Sequence, residues 1–92
     1  MDFEWDDDKD AANLAKHGIA FAQAQSVFLD PNAFTIFDPD HSADEDRYLT
    51  IGFADDGRLL VVSHTDRGNL TRIISARKAT KREAKGYPND YR

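Results

Sequence analysis

Arg67, Arg72 and Arg77 follow one another at short spacing in the C-terminal half, and His64 stands just ahead of them. A guanidinium presents a planar fork of N–H donors that matches two phosphate oxygens at once, so arginines recurring in this way suit a phosphate clamp. An imidazole changes charge near neutral pH and can carry a proton to or from a group held by that clamp. A lone histidine at a strand end is nevertheless more often structural. After the last of these arginines come Lys78, Lys81 and Arg82, which suit a grip on a polyanion backbone. Tyr87 lies a little further on; its ring can stack on a base, its hydroxyl can give a proton, or the whole side chain can pack into a core.

The segment that carries these cations reads as a strand running into a helix. Thr80-x-x-Glu83 is the capping-box pattern, in which two side chains satisfy orphan N–H groups at a helix start. Lys81 and Arg82 then sit at the positive end of the helix dipole, where each costs a few tenths of a kcal/mol or more. An anion such as a phosphate at that helix start would relieve the crowding. The bland alternative is a solvated basic turn.

The elements that must position these residues follow from turn signals. Phe3-Glu4-Trp5 is a short alternating strand, and Asp6, Asp7 or Asp8 can cap a helix over residues 9–17 that buries Ala11, Leu14 and Ala15 and ends at Gly18. A second helix over residues 21–29 puts Phe21, Ala24, Val27 and Phe28 on one stripe and stops at Asp30-Pro31. The period then changes to alternation, with strands over 33–37, 47–54, 58–65 and from Leu70 to the neighbourhood of Ala76. Asp55-Asp56-Gly57 is a strong hairpin signal, and the short connections make neighbouring strands antiparallel. The expected fold class is α+β, with helices packed on one face of the sheet and the other face largely open to ligands. Strict alternation sets Arg72 and Arg77 on opposite faces, unless the strand ends or bulges between them; an end near Ala76 is the expected solution.

Composition bounds the rest. The 92 residues suit one small domain, 1–92, with a single modest core. Absence of cysteine excludes disulfides, thiolate zinc sites and thiol catalysis. No apolar run approaches the roughly 20 residues that span a bilayer, and the acidic start does not read as a signal peptide, so a soluble, cytoplasmic chain is expected. The net charge is −5, yet residues 1–46 carry −10 and residues 47–92 carry +5. Such asymmetry is the sequence-level mark of a polyanion-binding face, although it can also arise from chance ordering of surface charge.

Several spaced blocks of the chain resemble one family. Phe3-Glu-Trp-Asp6, Lys9, Ala12-Asn13-Leu14, Lys16-His17-Gly18-Ile19 and Phe21 are similar to the opening of the BrnT toxins of bacterial type II toxin–antitoxin pairs. The likeness continues through Asp38-Pro39-Asp40-His41-Ser42, Glu45, Arg47, Ile51-Gly52, Gly57-Arg58-Leu59-Leu60-Val61-Val62 and Arg67-Gly68 to Arg72-Ile-Ile-Ser-Ala-Arg77-Lys78-Ala79-Thr80, Arg82-Glu83 and Tyr87. It covers nearly the whole chain. The resemblance implies a RelE-like fold, two N-terminal helices packed on a four- to five-stranded mainly antiparallel sheet with a short C-terminal helix. It further implies a metal-independent endoribonuclease that needs no cofactor and inhibits translation. The implied partner is a BrnA-type antitoxin with a ribbon-helix-helix portion, bound in a hetero-oligomer that reaches operator DNA only through the antitoxin. Two departures are small: Asp7 stands where many relatives have Pro, and Ala20 where a capping Ser or Thr is common, which leaves the second helix about 1 kcal/mol less well capped.

Cleaving RNA without a metal needs a base for the 2′-hydroxyl, an acid for the leaving 5′-oxygen, and cations for the charge that grows on phosphorus. His64 is the expected proton-transfer group, Arg67, Arg72 and Arg77 the phosphate clamps, and Lys78, Lys81, Arg82 and Tyr87 the RNA grip. Glu83 is expected in its capping role, with action as a base the lesser alternative. His17 fits helix capping better than catalysis. The acids around His41, from Asp38 to Asp46, match neither an EF-hand nor a zinc site and read as a solvated loop or a contact for a basic antitoxin segment. The other functional class open to this fold is a non-enzymatic toxin that blocks a protein target such as DNA gyrase.

Overall fold

The first helix starts where an aspartate can hold its loose amides. In the computed structural model, which describes residues 1–88, a short strand β1 (Asp2–Glu4) leads to Asp6, whose carboxylate accepts from the N–H groups of Asp8 and Lys9 at 2.9 and 3.0 Å. Helix α1 (Asp7–His17) runs from this cap to Gly18, whose positive φ of 71° lets its N–H return to the Leu14 carbonyl. Residues 89–92 of the expected domain lie outside the described part.

The face that α1 turns inward is not the expected one. Leu14 is 52% exposed and Ala11 and Ala15 lie at the surface, while the polar Asn13 is buried. The reason lies in backbone groups that need partners. Asn13 Nδ2 donates to the carbonyls of Ile19 and Ala76, each at 2.9 Å, and its Oδ1 accepts from Ala76 N–H at 3.1 Å. Buried backbone donors and acceptors at a sheet edge must be paired, and one amide side chain serves three of them here. Asp10 also turns inward and accepts from Phe21 N–H at 2.8 Å, supplying from α1 the cap that Ala20 cannot give to the next helix.

Helix α2 (Phe21–Gln25) tightens into a 3₁₀ turn (Ser26–Leu29) rather than continuing as one α-helix. Its apolar stripe is as expected: Phe21, Ala24 and Val27 are fully buried against Leu60, Val62, Ile73 and Ala76, with Phe3, Trp5 and Phe28 packed around them. The sheet comprises β1, β2 (Phe34–Phe37), β3 (Tyr48–Phe53), β4 (Leu59–Arg67) and β5 (Leu70–Lys78), in spatial order β1-β5-β4-β3-β2. Strands β2 to β5 are antiparallel neighbours, and β1 adds in parallel to Leu70–Arg72 of β5. A last short helix α3 (Lys81–Gly86) closes the described chain.

Cross-strand partners share a face, so the register assigns every strand residue to one side. Thr35, Thr50, Val62 and Ala76 form one row on the helix-covered side, and Phe34, Ile51, Val61 and Arg77 form the next row on the opposite side. Two expectations change here. Strand β5 does not end near Ala76 but continues to Lys78, and between the pairs Ser63–Ser75 and His64–Ile73 it advances by one residue more than β4. This β-bulge inserts Ile74 and reverses the alternation of everything beyond it. Second, the helices do not all lie on one face: α3 swings to the far side, where the Tyr87 ring packs on Phe34 and Phe53.

Candidate active site

The bulge decides which cations meet. Arg72 pairs with Thr65 and Glu4, Arg77 with Val61, and both rows project from the side away from α1 and α2. Arg67, paired with Leu70, shares that side. From Thr65 to Val61 is four strand residues, so Arg72 and Arg77 are set roughly 13 Å apart along one surface. Lys78, by contrast, sits in the row of Leu60 on the helix side.

Each arginine is steadied by a carboxylate. Arg72 donates to Glu4 at 3.1 Å, Arg67 approaches Glu45 at 3.6 Å, and Arg77 forms a two-pronged fork with Glu83 at 2.8 and 2.9 Å. Glu83 has a second duty, since its Oε1 also accepts from Thr80 N–H at 2.8 Å while Thr80 Oγ1 accepts from Glu83 N–H at 3.1 Å, completing the capping box. The anion wanted at the cation-rich helix start is thus the chain's own carboxylate. The Arg77 fork holds the Glu83 carboxyl down to about 2, and Glu83 in turn raises the Arg77 guanidinium further above its ordinary range.

His64 is not part of this surface. It lies in the row of Phe37, Tyr48 and Ile73 on the helix side and is 6% exposed. Phe28 meets its ring edge-on and Tyr48 stacks against it, with Nε2 2.7 Å from Thr50 Oγ1. Burial lowers its pKa, against a smaller raising effect of Asp66, so a neutral ring belongs to this core position. Tyr87 is likewise occupied: beyond its ring contacts, its hydroxyl donates to Asp30 Oδ2, and burial together with that carboxylate pushes the phenol up to about 12. Lys81 and Arg82 are exposed on the first turn of α3.

His41, expected in a solvated loop or an antitoxin contact, and Arg47, expected in no site, come to the open face instead. A groove of about 360 Å³ is lined by Asp38, His41, Arg47, Ser63, Ser75 and Arg77, among others. Its floor is the row of Leu49, Ser63 and Ser75; its far wall is the segment from Asp38 to Arg47. That segment is closed by its own hydrogen bonds. Asp38 N–H donates to the Arg47 carbonyl at 2.9 Å, and Arg47 N–H donates to Ser42 Oγ at 2.9 Å, while Ser42 Oγ donates to the Asp38 carbonyl. The signal that could have found this was the pattern Asp38-Pro39-Asp40-His41-Ser42, which puts a proline at a turn start and a serine where it can staple the turn. Among the described residues no group of three His, Asp or Glu side chains converges as a metal ligand set would.

A five-stranded sheet with two N-terminal helices on one side and an arginine-bearing surface on the other makes this a RelE-like α+β protein. Residues 5–83 match the family model described as the ribonuclease toxin BrnT of type II toxin–antitoxin systems. The chain belongs to that BrnT family, as a toxin of the kind that is paired with an antitoxin. Among solved structures it is similar to the ribonuclease toxin BrnT of Brucella abortus, determined by crystallography at 1.1 Å resolution. The two share 30% sequence identity and superpose with a TM-score of 0.67, over 88% of this chain and 99% of that one. No curated protein sequence matches the chain.

Proposed function

We propose that this toxin is an endoribonuclease that cuts RNA without a metal, and thereby inhibits translation in the cytoplasm until a BrnA-type ribbon-helix-helix antitoxin covers it. The observation that carries this reading is the placement of Arg67, Arg72 and Arg77 on one open sheet face, which the bulge at Ile74 makes possible. In-line attack of a 2′-hydroxyl on phosphorus puts extra negative charge on the non-bridging oxygens, and a preorganised guanidinium is worth most where that charge develops. Arg77 lines the groove and is held in orientation by Glu83. Arg72 and Arg67 lie along the same face and serve neighbouring phosphates; Lys81 and Arg82 extend the basic surface from α3. Operator DNA is reached only through the antitoxin in the hetero-oligomer.

The test is cleavage of bulk RNA by the purified, antitoxin-free chain with EDTA present and Arg77→Ala beside it. Loss of one charge-stabilising donor should slow cleavage by about 100- to 1,000-fold, with the circular dichroism spectrum of the variant unchanged in shape. Equal cleavage by both proteins removes Arg77 from the site. No cleavage by the wild type shifts the reading to a toxin that blocks a protein target.

A further inference from the structure

We propose that His41 is the proton-transfer residue of this site, taking the proton of the RNA 2′-hydroxyl on Nε2, and that Asp38 is its positioning residue. The proposal rests on the ribonuclease reading above and adds to it the base that the arginines lack. Three observations bring it forward. First, His41 lines the same groove as Arg47 and Arg77, and the floor between them is the row of Leu49, Ser63 and Ser75, whose two serines leave room for a phosphodiester. Second, His41 Nδ1 lies 2.8 Å from Asp38 Oδ2. A carboxylate there selects the tautomer with the proton on Nδ1 and leaves Nε2 as the acceptor, which is the arrangement a general base needs. Third, the turn that carries His41 is tied by hydrogen bonds at both ends. The Ser42 staple and the Asp38–Arg47 backbone bond hold the 3₁₀ turn Pro39–His41 against the end of β3.

Arg47 strengthens the case from the same turn. It lines the groove with a side chain that is 32% exposed, and its guanidinium reaches Glu45 only at 4.0 Å. A donor left short of acceptors beside a histidine base is suited to an incoming phosphate oxygen. The charged groups around the imidazole are Asp38 and Asp40 in its own turn, Asp44 and Glu45 in the following loop, Arg47 at the mouth of β3 and Arg77 across the groove from β5.

The step balances without a further reagent. As His41 Nε2 takes the 2′-proton, the 2′-oxygen forms its bond to phosphorus and the bond from phosphorus to the 5′-oxygen breaks. The products are a 2′,3′-cyclic phosphate and a 5′-hydroxyl, whose proton comes from water while the imidazolium returns its own to water.

The experiment compares the full-length wild type with His41→Ala, Asp38→Asn and Arg77→Ala in RNA cleavage against pH and in equilibrium RNA binding. His41 has a side chain that is 67% exposed, so its removal leaves the fold intact. His41→Ala should cut at least about 100-fold more slowly while RNA affinity changes by less than about threefold, because a base acts in the transition state and not in binding. The acid limb of the wild-type rate profile, where a protonated ring can accept nothing, should be absent from His41→Ala, and added imidazole should restore part of the rate. Asp38→Asn should slow cleavage by about tenfold and keep that limb, because it disturbs the orientation of the base without removing it. His41→Ala cleaving at the wild-type rate, with Arg77→Ala inactive, overturns the assignment while the ribonuclease reading stands. No cleavage by the wild type overturns both.

Discussion

At the scale of single residues, Glu83 links the fold to the site. It caps α3 and holds Arg77 in a fork, and its carboxyl lies at about 2 against an ordinary 4.5. A folded-state value below the unfolded one means that the native chain resists taking up that proton. The stability this contributes is fully present above about pH 4.5 and is lost as the pH falls through about 2. Arg77 is 40% exposed, so solvent screening reduces the contribution to about 1–2 kcal/mol. Glu83→Gln should therefore be less stable than wild type by that amount in urea unfolding at pH 7, and the two curves should converge as the pH approaches 2. Tyr87 gives a second test. Tyr87→Phe removes the donor to Asp30, whose carboxyl burial pushes up but which the amide of Phe53, the Tyr87 hydroxyl and the amide of Asn32 together hold below the usual range. Loss of about 1–2 kcal/mol of stability is expected, with RNA binding unaffected.

At the scale of elements, α1 and β5 are joined through one amide. Strand β1 pairs only with Leu70–Arg72, so the rest of β5 is an edge, and Asn13 pairs both the N–H and the carbonyl of Ala76 along it. Asn13→Ala leaves these groups and the Ile19 carbonyl without partners, and should cost about 2–4 kcal/mol of unfolding free energy. Ala76 directly precedes Arg77, so the same variant should lower RNA cleavage more than its stability alone explains; cleavage measured well below the unfolding temperature checks this. A close approach elsewhere on the helix-covered face is equally specific. A Cβ on Gly52 would stand 2.8 Å from Ala33 Cβ and 3.1 Å from Val27 Cγ1. Gly52→Ala should destabilise by about 1–3 kcal/mol through overpacking where β3 meets the turn that follows α2.

At the scale of the whole molecule, the net charge of −5 hides a cationic sheet face. With no favourable global field, RNA binding must come from local phosphate contacts, and these release counterions. If Arg67, Arg72 and Arg77 each neutralise one phosphate, the logarithm of affinity should fall against the logarithm of salt with a slope near roughly −2. Arg72→Ala should reduce that slope by about 0.7, whereas Lys78→Ala, on the helix side, should leave it unchanged. A titration of RNA binding across salt concentrations for the three proteins separates the two faces.

Much of this was legible from the residues. The caps at Asp6 and Thr80, the Gly18 stop, the buried stripe Phe21, Ala24 and Val27, and the antiparallel strands after Asp30 depend on contacts within a few residues or on simple periodicity, so the chain order alone specifies them. The arginines and the family resemblance were legible for the same reason. What lay beyond the sequence was decided by partners distant along the chain. The bulge at Ile74 arises in the pairing of β5 with β4, and no local pattern marks it, yet it alone puts Arg72 and Arg77 on one face. Burial of Asn13 in place of Leu14 depends on Ala76, and the return of His41 to the Arg77 groove depends on the Ser42 staple closing the turn against β3. The side of the sheet on which His64 lies is a property of register, because one residue of slip carries a side chain from an open surface into the core.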